Sequence, residues 1–174
     1  VNPMKLYNFF RSGTSHRLRI ALNLKDIATD YVAVDLRVEE HLKDAFKSVN
    51  PQQLVPALDT GKQVLIQSPA IIEYLEERYP QVPLLSTDLV ARAHERAVAS
   101  IVCCDIHPLH NSSTQNLLRQ WGHDETQVSE WIGHWIGQGL ATVEQLIGDE
   151  GFCFGTFGKS RSGSEQDRLP LFPN

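Results

Sequence analysis

Cysteine is scarce in this chain, and so are long apolar runs and clusters of positive charge. Three cysteines, of which Cys103 and Cys104 are adjacent, are too few for a disulfide framework. There is no Cys-x-x-Cys pair and no spaced histidine cluster, so we expect no metal site. No apolar run approaches the roughly 20 residues of a membrane-spanning helix, and the first residues lack the pattern of a signal peptide. These absences predict a cytoplasmic protein that binds no membrane.

Charge and composition narrow the class of protein further. The net charge is −5 and no basic stripe stands out, which argues against a nucleic-acid partner. A hydrophobic fraction of 41% and a charged fraction of 21% are typical of a soluble globular protein. A length of 174 residues allows one large domain or two small ones.

The start of the chain predicts a strand, a helix and a second strand. Residues 4–10 are mostly apolar and predict a buried strand, and residues 31–34 predict another. Between them, Leu18, Ala21 and Leu22 are spaced for one face of a helix. This order is the βαβ unit, whose strands are normally parallel.

The next stretch predicts a helix over residues 39–49 and then a β-hairpin. Two short apolar runs, 55–58 and 64–66, flank a turn that contains Gly61. Pro56 lacks the N–H that a strand ladder needs, so we expect it at a sheet edge, as a candidate cis peptide.

A helix with strong start signals follows the hairpin, running to about Tyr79. Ser68 is the expected N-cap, and Pro69 the expected first helical residue. An open strand edge beside a helix N-terminus suits a small peptide-like anion, because the edge pairs with a peptide backbone and the N-terminus holds a carboxylate. The same pattern also fits an ordinary hairpin and helix cap without a ligand.

The predicted elements define the fold class. Residues 4–82 have the order β-α-β-α-β-β-α, which is the arrangement of a thioredoxin-like α/β domain. Residues 88–155 show no convincing strand and predict an all-helical domain. It would hold a long helix bent near Pro108 and a second helix over about 124–147. Gly148 fits the position just past the second helix.

Three runs carry a resemblance to a known family: Ser12–Leu22 (SGTSHRLRIAL), Asn50–Leu58 (NPQQLVPAL) and Gln67–Glu77 (QSPAIIEYLEE). With them, residues 4 to about 155 resemble the zeta class of glutathione transferases, and in particular the bacterial maleylpyruvate and maleylacetoacetate isomerases. The resemblance implies an enzyme of aromatic catabolism that uses glutathione as cofactor, acts on a small diacid and forms a homodimer.

The resemblance also implies which residues bind glutathione. The backbone of Val55, before the proline, would pair with the cysteinyl part, and Gln67 and Ser68 would hold the γ-glutamyl carboxylate. The full set of implied cofactor-binding residues is Ser12, Gly13, Thr14, His41, Gln53, Val55, Pro56, Gln67, Ser68, His107 and Asn111.

The thiol of glutathione would lie at the start of the first helix. Many zeta enzymes have Ser-Ser-Cys where this chain has Ser12, Gly13 and Thr14. The Ser12 and Thr14 hydroxyls, with backbone N–H groups and the helix dipole, must then stabilise the thiolate. Either hydroxyl could contribute more. Arg11 is the candidate for binding the substrate carboxylate, and its alternative role is that of a solvated loop arginine.

A second set of candidates lies in the helical half. His107 and Asn111 are four residues apart, so they share a helical face if the helix continues past Pro108. They would bind glutathione or orient the substrate. A lone histidine is more often structural, but the pair together with the resemblance favours a site.

The chain departs from the family after Gly155. Residues 156–174 are polar and rich in glycine and serine, which predicts a flexible tail and a shortened C-terminal domain. The favoured function is a glutathione-dependent cis–trans isomerase. The alternatives are a glutathione-binding protein with weak or lost turnover, and a glutathione-conjugating transferase.

Overall fold

The computed structural model describes residues 3–147, and its first part is a four-stranded sheet with helices. The elements are β1 (Met4–Asn8), α1 (Gly13–Leu24), β2 (Thr29–Ala33), α2 (Asp44–Lys47), β3 (Ala57–Asp59), β4 (Val64–Ile66) and α3 (Ser68–Arg78). The strand order is β2-β1-β3-β4; β1 is parallel to β2, and β3 is antiparallel to both β1 and β4. The predicted βαβ unit, hairpin and thioredoxin-like domain are confirmed.

The core of this sheet domain fixes the two long helices. Leu6 and Leu58 from the sheet pack with Leu18 of α1 and with Ile71 and Leu75 of α3, and each is at most 2% exposed. α1 and α3 also pack against each other. Burial of five such side chains at about 1.5–3 kcal/mol each holds both helices on the sheet.

The prediction of one helix over residues 39–49 is wrong. The structure has two 3₁₀ turns, Leu36–Val38 and Glu40–Leu42, followed by the single turn of α2. Glu39 between the turns is left-handed (φ 56°), a conformation that no α-helix interior accommodates. The apolar spacing is still used, because Phe46 is buried in a small cluster with Val34 and Val55.

Two expectations at the hairpin need correction. α3 begins at Ser68, so Gln67 is the N-cap and its carbonyl accepts the first helical bond, from the Ile71 N–H at 3.0 Å. The Val55–Pro56 peptide is cis, as predicted. Pro56 is not at a sheet edge, however: it directly precedes β3, an interior strand, and so removes no ladder bond.

The second part of the described chain is helical. Its elements are α4 (Leu89–Ser100), a π-helical segment (Ile101–Ile106), α5 (His107–His110), α6 (Ser112–Gln120) and α7 (Glu125–Leu146). The helix predicted over 124–147 is confirmed, with Asp124 as its N-cap in a capping box with Gln127. The other predicted helix is divided into several segments, and α6 was not predicted.

The division of that helix centres on Pro108, which has no N–H to donate. The chain widens into the π-helical segment before Pro108 and leaves the helix after His110. Side chains from α6 and α7 donate hydrogen bonds to the last carbonyls of α5 and so cap this helix. These bonds, each 2.7 Å long, are Thr114 Oγ1 to Pro108 O, Trp131 Nε1 to Leu109 O and Gln115 Nε2 to His110 O.

α7 approaches the π-helical segment closely at one glycine. Gly139 is buried, and a β-carbon placed on it would overlap the side chain of Ile106, which is 5% exposed. Gly137, two residues earlier on α7, has open space around it. The absence of a side chain at Gly139 therefore sets how near the two segments pack.

A buried ion pair closes the end of the sheet domain. Lys25, at the C-terminus of α1, lies 2.7 Å from Glu76 of α3, and their side chains are 0% and 6% exposed. The Lys25 ammonium also donates to two backbone carbonyls after α3, at 2.9 and 2.8 Å. Glu76 accepts backbone N–H groups from Leu84 and Leu85. The pair is thus fully hydrogen-bonded, as a buried pair must be.

The contacts divide the chain between Arg92 and Ala93, inside α4, into two compact units. The predicted domains 4–82 and 88–155 remain predictions, and the predicted tail (156–174) and Gly148 lie outside the described residues. Within residues 3–147, no helix has both the length and the apolar composition needed to span a bilayer.

Candidate active site

The first helix begins in a turn that presents a serine hydroxyl. Ser12 is the N-cap of α1, with extended backbone (φ −75°, ψ 122°), and its Oγ accepts the Ser15 N–H at 3.2 Å. Its own N–H donates to the Phe9 carbonyl at 3.1 Å, which closes the turn after β1. The Ser12 hydroxyl is therefore held where the partial positive charge of the helix N-terminus is strongest.

Two hydroxyls form a chain at this helix start. Thr14 Oγ1 donates to the Val55 carbonyl at 2.9 Å and lies 2.8 Å from Ser12 Oγ. Because Thr14 has a single hydroxyl hydrogen and a carbonyl only accepts, Ser12 is the donor to Thr14. The chain runs from Ser12 through Thr14 to Val55, and it joins α1 to the segment before the cis proline.

A buried asparagine shapes the segment before Val55. Asn50 is 1% exposed; its amide nitrogen donates to the Leu54 carbonyl at 2.7 Å, and its amide oxygen accepts the Gln52 N–H at 2.9 Å. Gln53 inside this loop is left-handed, with φ 59°. The Asn50 side chain therefore holds the loop before Val55 through hydrogen bonds to its backbone at two points.

The same loop reaches the start of α3. Gln67 Nε2 donates to Gln52 Oε1 at 2.6 Å, and Gln67 has a φ of 68°. Ser68, the next residue, is 3% exposed. Non-glycine residues with positive φ tend to cluster at functional sites. Two of the four in the described chain are Gln53, in the loop before Val55, and Gln67, at the start of α3.

The remaining candidates of the first unit lie on loops. His41 is on the second 3₁₀ turn, and its Nδ1 is buried with no hydrogen-bond partner in the described part of the chain. Arg11 is exposed in the turn before Ser12, and within residues 3–147 no hydrogen bond or ion pair engages its guanidinium. Gly13 is the exposed first residue of α1.

His107 and Asn111 do not share a helical face. α5 ends at His110, and Asn111 is extended (φ −72°, ψ 167°) as the N-cap of α6. Its Oδ1 accepts the N–H groups of Ser113 and Thr114 at 3.0 and 3.2 Å. The amide oxygen proposed for a ligand is thus used in a helix cap.

His110 stands beside His107 in this second unit. The two rings meet edge to face, with centroids 5.3 Å apart. His110 Nδ1 lies 2.9 Å from the Ile106 carbonyl. Since a carbonyl only accepts, Nδ1 carries the hydrogen, and in the neutral ring Nε2 is the nitrogen with the lone pair.

Comparison with known proteins identifies the family. Residues 6–83 match the family described as glutathione S-transferase, N-terminal domain. The chain is 62% identical over 155 residues to the maleylacetoacetate isomerase of Pseudomonas aeruginosa, covering 87% of this chain and 73% of the relative. A solved holo structure of maleylpyruvate isomerase, a bacterial glutathione S-transferase of the zeta class, has a TM-score of 0.83 and 58% identity, covering 87% of this chain and 74% of that one. The chain belongs to the zeta class of glutathione transferases.

A further relative was solved with ligands. This maleylacetoacetate isomerase from Methylobacterium extorquens AM1, with bound malonate and glutathione, has a TM-score of 0.81 and 39% identity, covering 87% of this chain and 74% of that one. The family match over residues 6–83 spans the starts of both α1 and α3. The geometry around Ser12, Val55 and Ser68 therefore lies in the part of this zeta-class chain that matches the family.

An exposed ion pair lies near the turn of this zeta-class site. Arg37 binds the Asp35 carboxylate with two nitrogens, at 2.6 to 3.2 Å, and its guanidinium lies 6.0 Å from the ring centroid of Phe9 and 5.8 Å from that of Phe10. Hydrogen bonds from the side chain and then the backbone N–H of Arg37 lower the pKa of Asp35 to about 2. The pKa of Arg37 is raised in turn.

Sequence reasoning missed the polar residues that support the site. Asn8 and Asn50, both at most 1% exposed, and Gln52 had not been singled out. For Asn8 there was a signal, since its amide stands between apolar neighbours, Leu6 and Tyr7 before it and Phe9 and Phe10 after it. For Gln52 there was none, because its partner Gln67 is 15 residues away.

Proposed function

We propose that this zeta-class chain is a glutathione-dependent cis–trans isomerase of a conjugated diacid such as maleylpyruvate or maleylacetoacetate. The observation that carries the proposal is the pair of hydroxyls, on Ser12 and Thr14, joined at the N-terminus of α1 and tied to Val55. The similarity to maleylacetoacetate and maleylpyruvate isomerases supports the substrate class.

The first unit fits glutathione in three respects. The starts of α1 and α3 carry the partial positive charge that favours an anion. Val55 and Ser68 are buried, and the orphaned Nδ1 of His41 is a polar group that lacks a protein partner in the described chain. We assign the cysteinyl backbone to Val55 and the γ-glutamyl carboxylate to Gln67 and Ser68.

The other proposed glutathione contacts have less support. Two of them, His107 and Asn111, belong to the second unit, and Asn111 would have to share its cap oxygen. The proposed contacts of Gly13, Gln53 and Pro56 are supported by the family resemblance alone.

The chain's task in the reaction is to keep a sulfur ionised. When bound, glutathione supplies a thiolate that adds to the substrate double bond, permits rotation about the resulting single bond and leaves again unchanged. A free thiol has a pKa of about 8.5, and lowering it by about two units corresponds to roughly 2.7 kcal/mol. Both hydroxyl hydrogens are used in the chain from Ser12 to Val55, so a hydroxyl that donates to the sulfur must rotate about its C–O bond and give up its bond in that chain.

Arg11 is the proposed ligand of a substrate carboxylate. It directly precedes Ser12, and its guanidinium is exposed and unengaged within the described residues. A guanidinium binds a carboxylate through two parallel hydrogen bonds, which would hold one end of a diacid beside the thiolate.

The test is a glutathione titration followed by the ultraviolet absorbance of the bound thiolate over a range of pH, together with assays on cis diacids. We expect saturable binding, a thiol pKa well below about 8.5 and formation of the trans diacid without loss of glutathione. Absence of binding would overturn the proposal.

A binding protein with weak turnover is the second candidate. Saturable binding with an unshifted thiol pKa would support it. A conjugating transferase would instead consume one glutathione for each substrate molecule.

We also propose that the protein is a cytoplasmic homodimer that acts in aromatic catabolism. The family resemblance supports each of these, and two large apolar side chains at the start of α4, Leu89 (81% exposed) and Val90 (65% exposed), support a partner surface.

A further inference from the structure

β1 ends in a polar residue that the proposed chemistry does not use. Asn8 is 0% exposed, although the residues around it in the strand are apolar. Its amide nitrogen donates to the Leu6 carbonyl at 3.3 Å. Its amide oxygen accepts from Arg19 Nη1 at 2.8 Å. An arginine on α1 therefore satisfies a buried acceptor at the strand end.

The same guanidinium continues along the turn that leads to the site. Arg19 Nη2 donates to the Phe10 carbonyl at 3.1 Å, and Nη1 reaches the Phe9 carbonyl more weakly, at 3.5 Å. The Phe9 carbonyl is also the acceptor of the Ser12 N–H at 3.1 Å. Arg19 thus binds three consecutive residues of the turn that ends at Ser12.

The helix geometry explains how this arginine reaches the turn. Arg19 comes seven residues, almost two helical turns, after Ser12. Long side chains on a helix point back towards its N-terminus, so the guanidinium lies over the start of α1. A guanidinium spreads its five N–H donors over a rigid plane, so its two terminal nitrogens reach an amide oxygen and two carbonyls at fixed angles; a lysine ammonium gathers its three donors at one atom.

We propose that Arg19 is a positioning residue of the thiolate site. By tying the turn of residues 8–10 to α1, it keeps the Ser12 hydroxyl in the chain with Thr14 and Val55. It touches neither the cofactor nor the substrate, and it acts through Ser12. The inference rests on the proposed glutathione chemistry, in which a displacement of about 1 Å can lower a rate by about a hundredfold.

The experiment compares R19M and R19K with the parent and with the control R119K. Arg119 is a useful match because it also makes a two-pronged contact, with Glu125, at 2.6 and 2.9 Å, but on α6. For each full-length protein, the pKa of bound glutathione's thiol is measured by ultraviolet titration, kcat and KM by diacid isomerisation, and binding of S-methylglutathione by calorimetry.

For R19M we expect the thiol pKa to rise by about one unit and kcat/KM at pH 7 to fall about threefold or more, because the ionised fraction falls, with the loss shrinking at pH 9. R19K should lie between R19M and the parent. Binding of S-methylglutathione, which has no thiol to ionise, should change less than threefold. If R19M does not fold, R19K carries the same test, since it keeps the charge and the aliphatic stem.

Two outcomes would overturn the inference. One is an unchanged thiol pKa in both Arg19 variants, with the parent pKa clearly lowered; the proposed function would then stand and Arg19 would be structural only. The other is an equal shift in R119K. An unshifted thiol in the parent would instead overturn the proposed function, and this inference with it.

Discussion

Ser12 and Thr14 differ in their structural roles, although we propose that the hydroxyl groups of both stabilise the thiolate. Ser12 is also the N-cap of α1, so its removal costs about 1 kcal/mol of helix stability in addition to any effect on the site. Thr14 caps nothing in the described structure; its bonds run to Ser12 and Val55. A change at Thr14 therefore reports on the site more cleanly.

Replacing Thr14 with valine, which has the same shape without the hydroxyl, should lower kcat/KM about 10- to 100-fold, because hydrogen bonds to a charged group are worth about 1.5–3 kcal/mol. The measurement is diacid isomerisation at pH 7. The control is T60V in the hairpin turn, where Thr60 also donates to a carbonyl, that of Gln63, at 2.9 Å. Equal activity of T14V and T60V would contradict a role for the Thr14 hydroxyl.

Asp35 should titrate far below its ordinary pKa of 3.8. Its pKa is lowered to about 2 by the hydrogen bonds from Arg37. Since the folded-state pKa is the lower one, the stabilisation is complete above pH 3.8 and is lost as the pH falls through about 2. Carboxyl NMR should give a midpoint near 2, moving towards 3.8 in R37Q. A midpoint that R37Q leaves unchanged would rule out this cause.

At this scale the sequence predicts residues whose role is local. Pro56 in a short apolar run indicated the cis peptide, and Ser68 before Pro69 located the start of α3 to within one residue. The error at Ser68 arose because Gln67 adopts a positive φ, which nothing in the sequence signals. The contact of Arg19 with Asn8 depends on the folded packing of α1 on the sheet and has no local pattern.

Among the elements, α7 shows most clearly how a missing side chain sets a packing distance. Alanine at either Gly137 or Gly139 gains helix propensity of about 1 kcal/mol, but only at Gly139 does the new methyl group meet Ile106. We expect G139A to be less stable than G137A by about 1–3 kcal/mol, measured by urea unfolding. Equal stabilities would show that Ile106 moves aside without cost.

The Lys25–Glu76 pair should be much more sensitive to loss of one partner than to loss of both. K25M leaves the buried Glu76 carboxylate without its cation, so we expect about 3–5 kcal/mol of destabilisation in urea unfolding. K25M/E76L should recover part of this loss. The control E77Q, at an exposed neighbour, should change stability by less than about 0.5 kcal/mol. Equal losses in K25M and E77Q would mean that the pair contributes little.

Two elements show why apolar spacing is an incomplete guide. Residues 39–49 have helical spacing, yet the left-handed Glu39 breaks the backbone and Phe46 is buried from a single turn. α6 shows the reverse error, a helix that is present but was not predicted. Its N-cap, Asn111, was interpreted as a ligand-binding residue and not as a helix start. In both cases the backbone conformation at one residue decided the element.

For the whole molecule, the thioredoxin-like half was predictable because each of its elements has its own local signal and the βαβ order permits few topologies. For the second half, the sequence predicted that it is helical, but not that its first part is divided into α4, the π-helical segment, α5 and α6. Pro108 indicated a bend, whereas the end of α5 depends on capping side chains from α6 and α7.

The proposed dimer gives a prediction at this scale. If Leu89 and Val90 lie in the subunit interface, L89K/V90K should shift the mass in sedimentation equilibrium from that of a dimer towards the 19.6 kDa of one chain. The control is V38K, at a valine that is 58% exposed elsewhere on the surface. A parent that is monomeric at all concentrations would contradict the dimer.

The threonine at position 14 determines how the start of α1 responds to oxidants. Where the helix start carries a cysteine, peroxide can convert it to a sulfenic acid, or the cofactor can be trapped on it as a mixed disulfide. Ser12, Gly13 and Thr14 contain no sulfur, so neither reaction is open to them. The groups that we propose to stabilise the thiolate therefore stay chemically unchanged under oxidants, and the sulfur at risk at that helix start is the one that bound glutathione supplies.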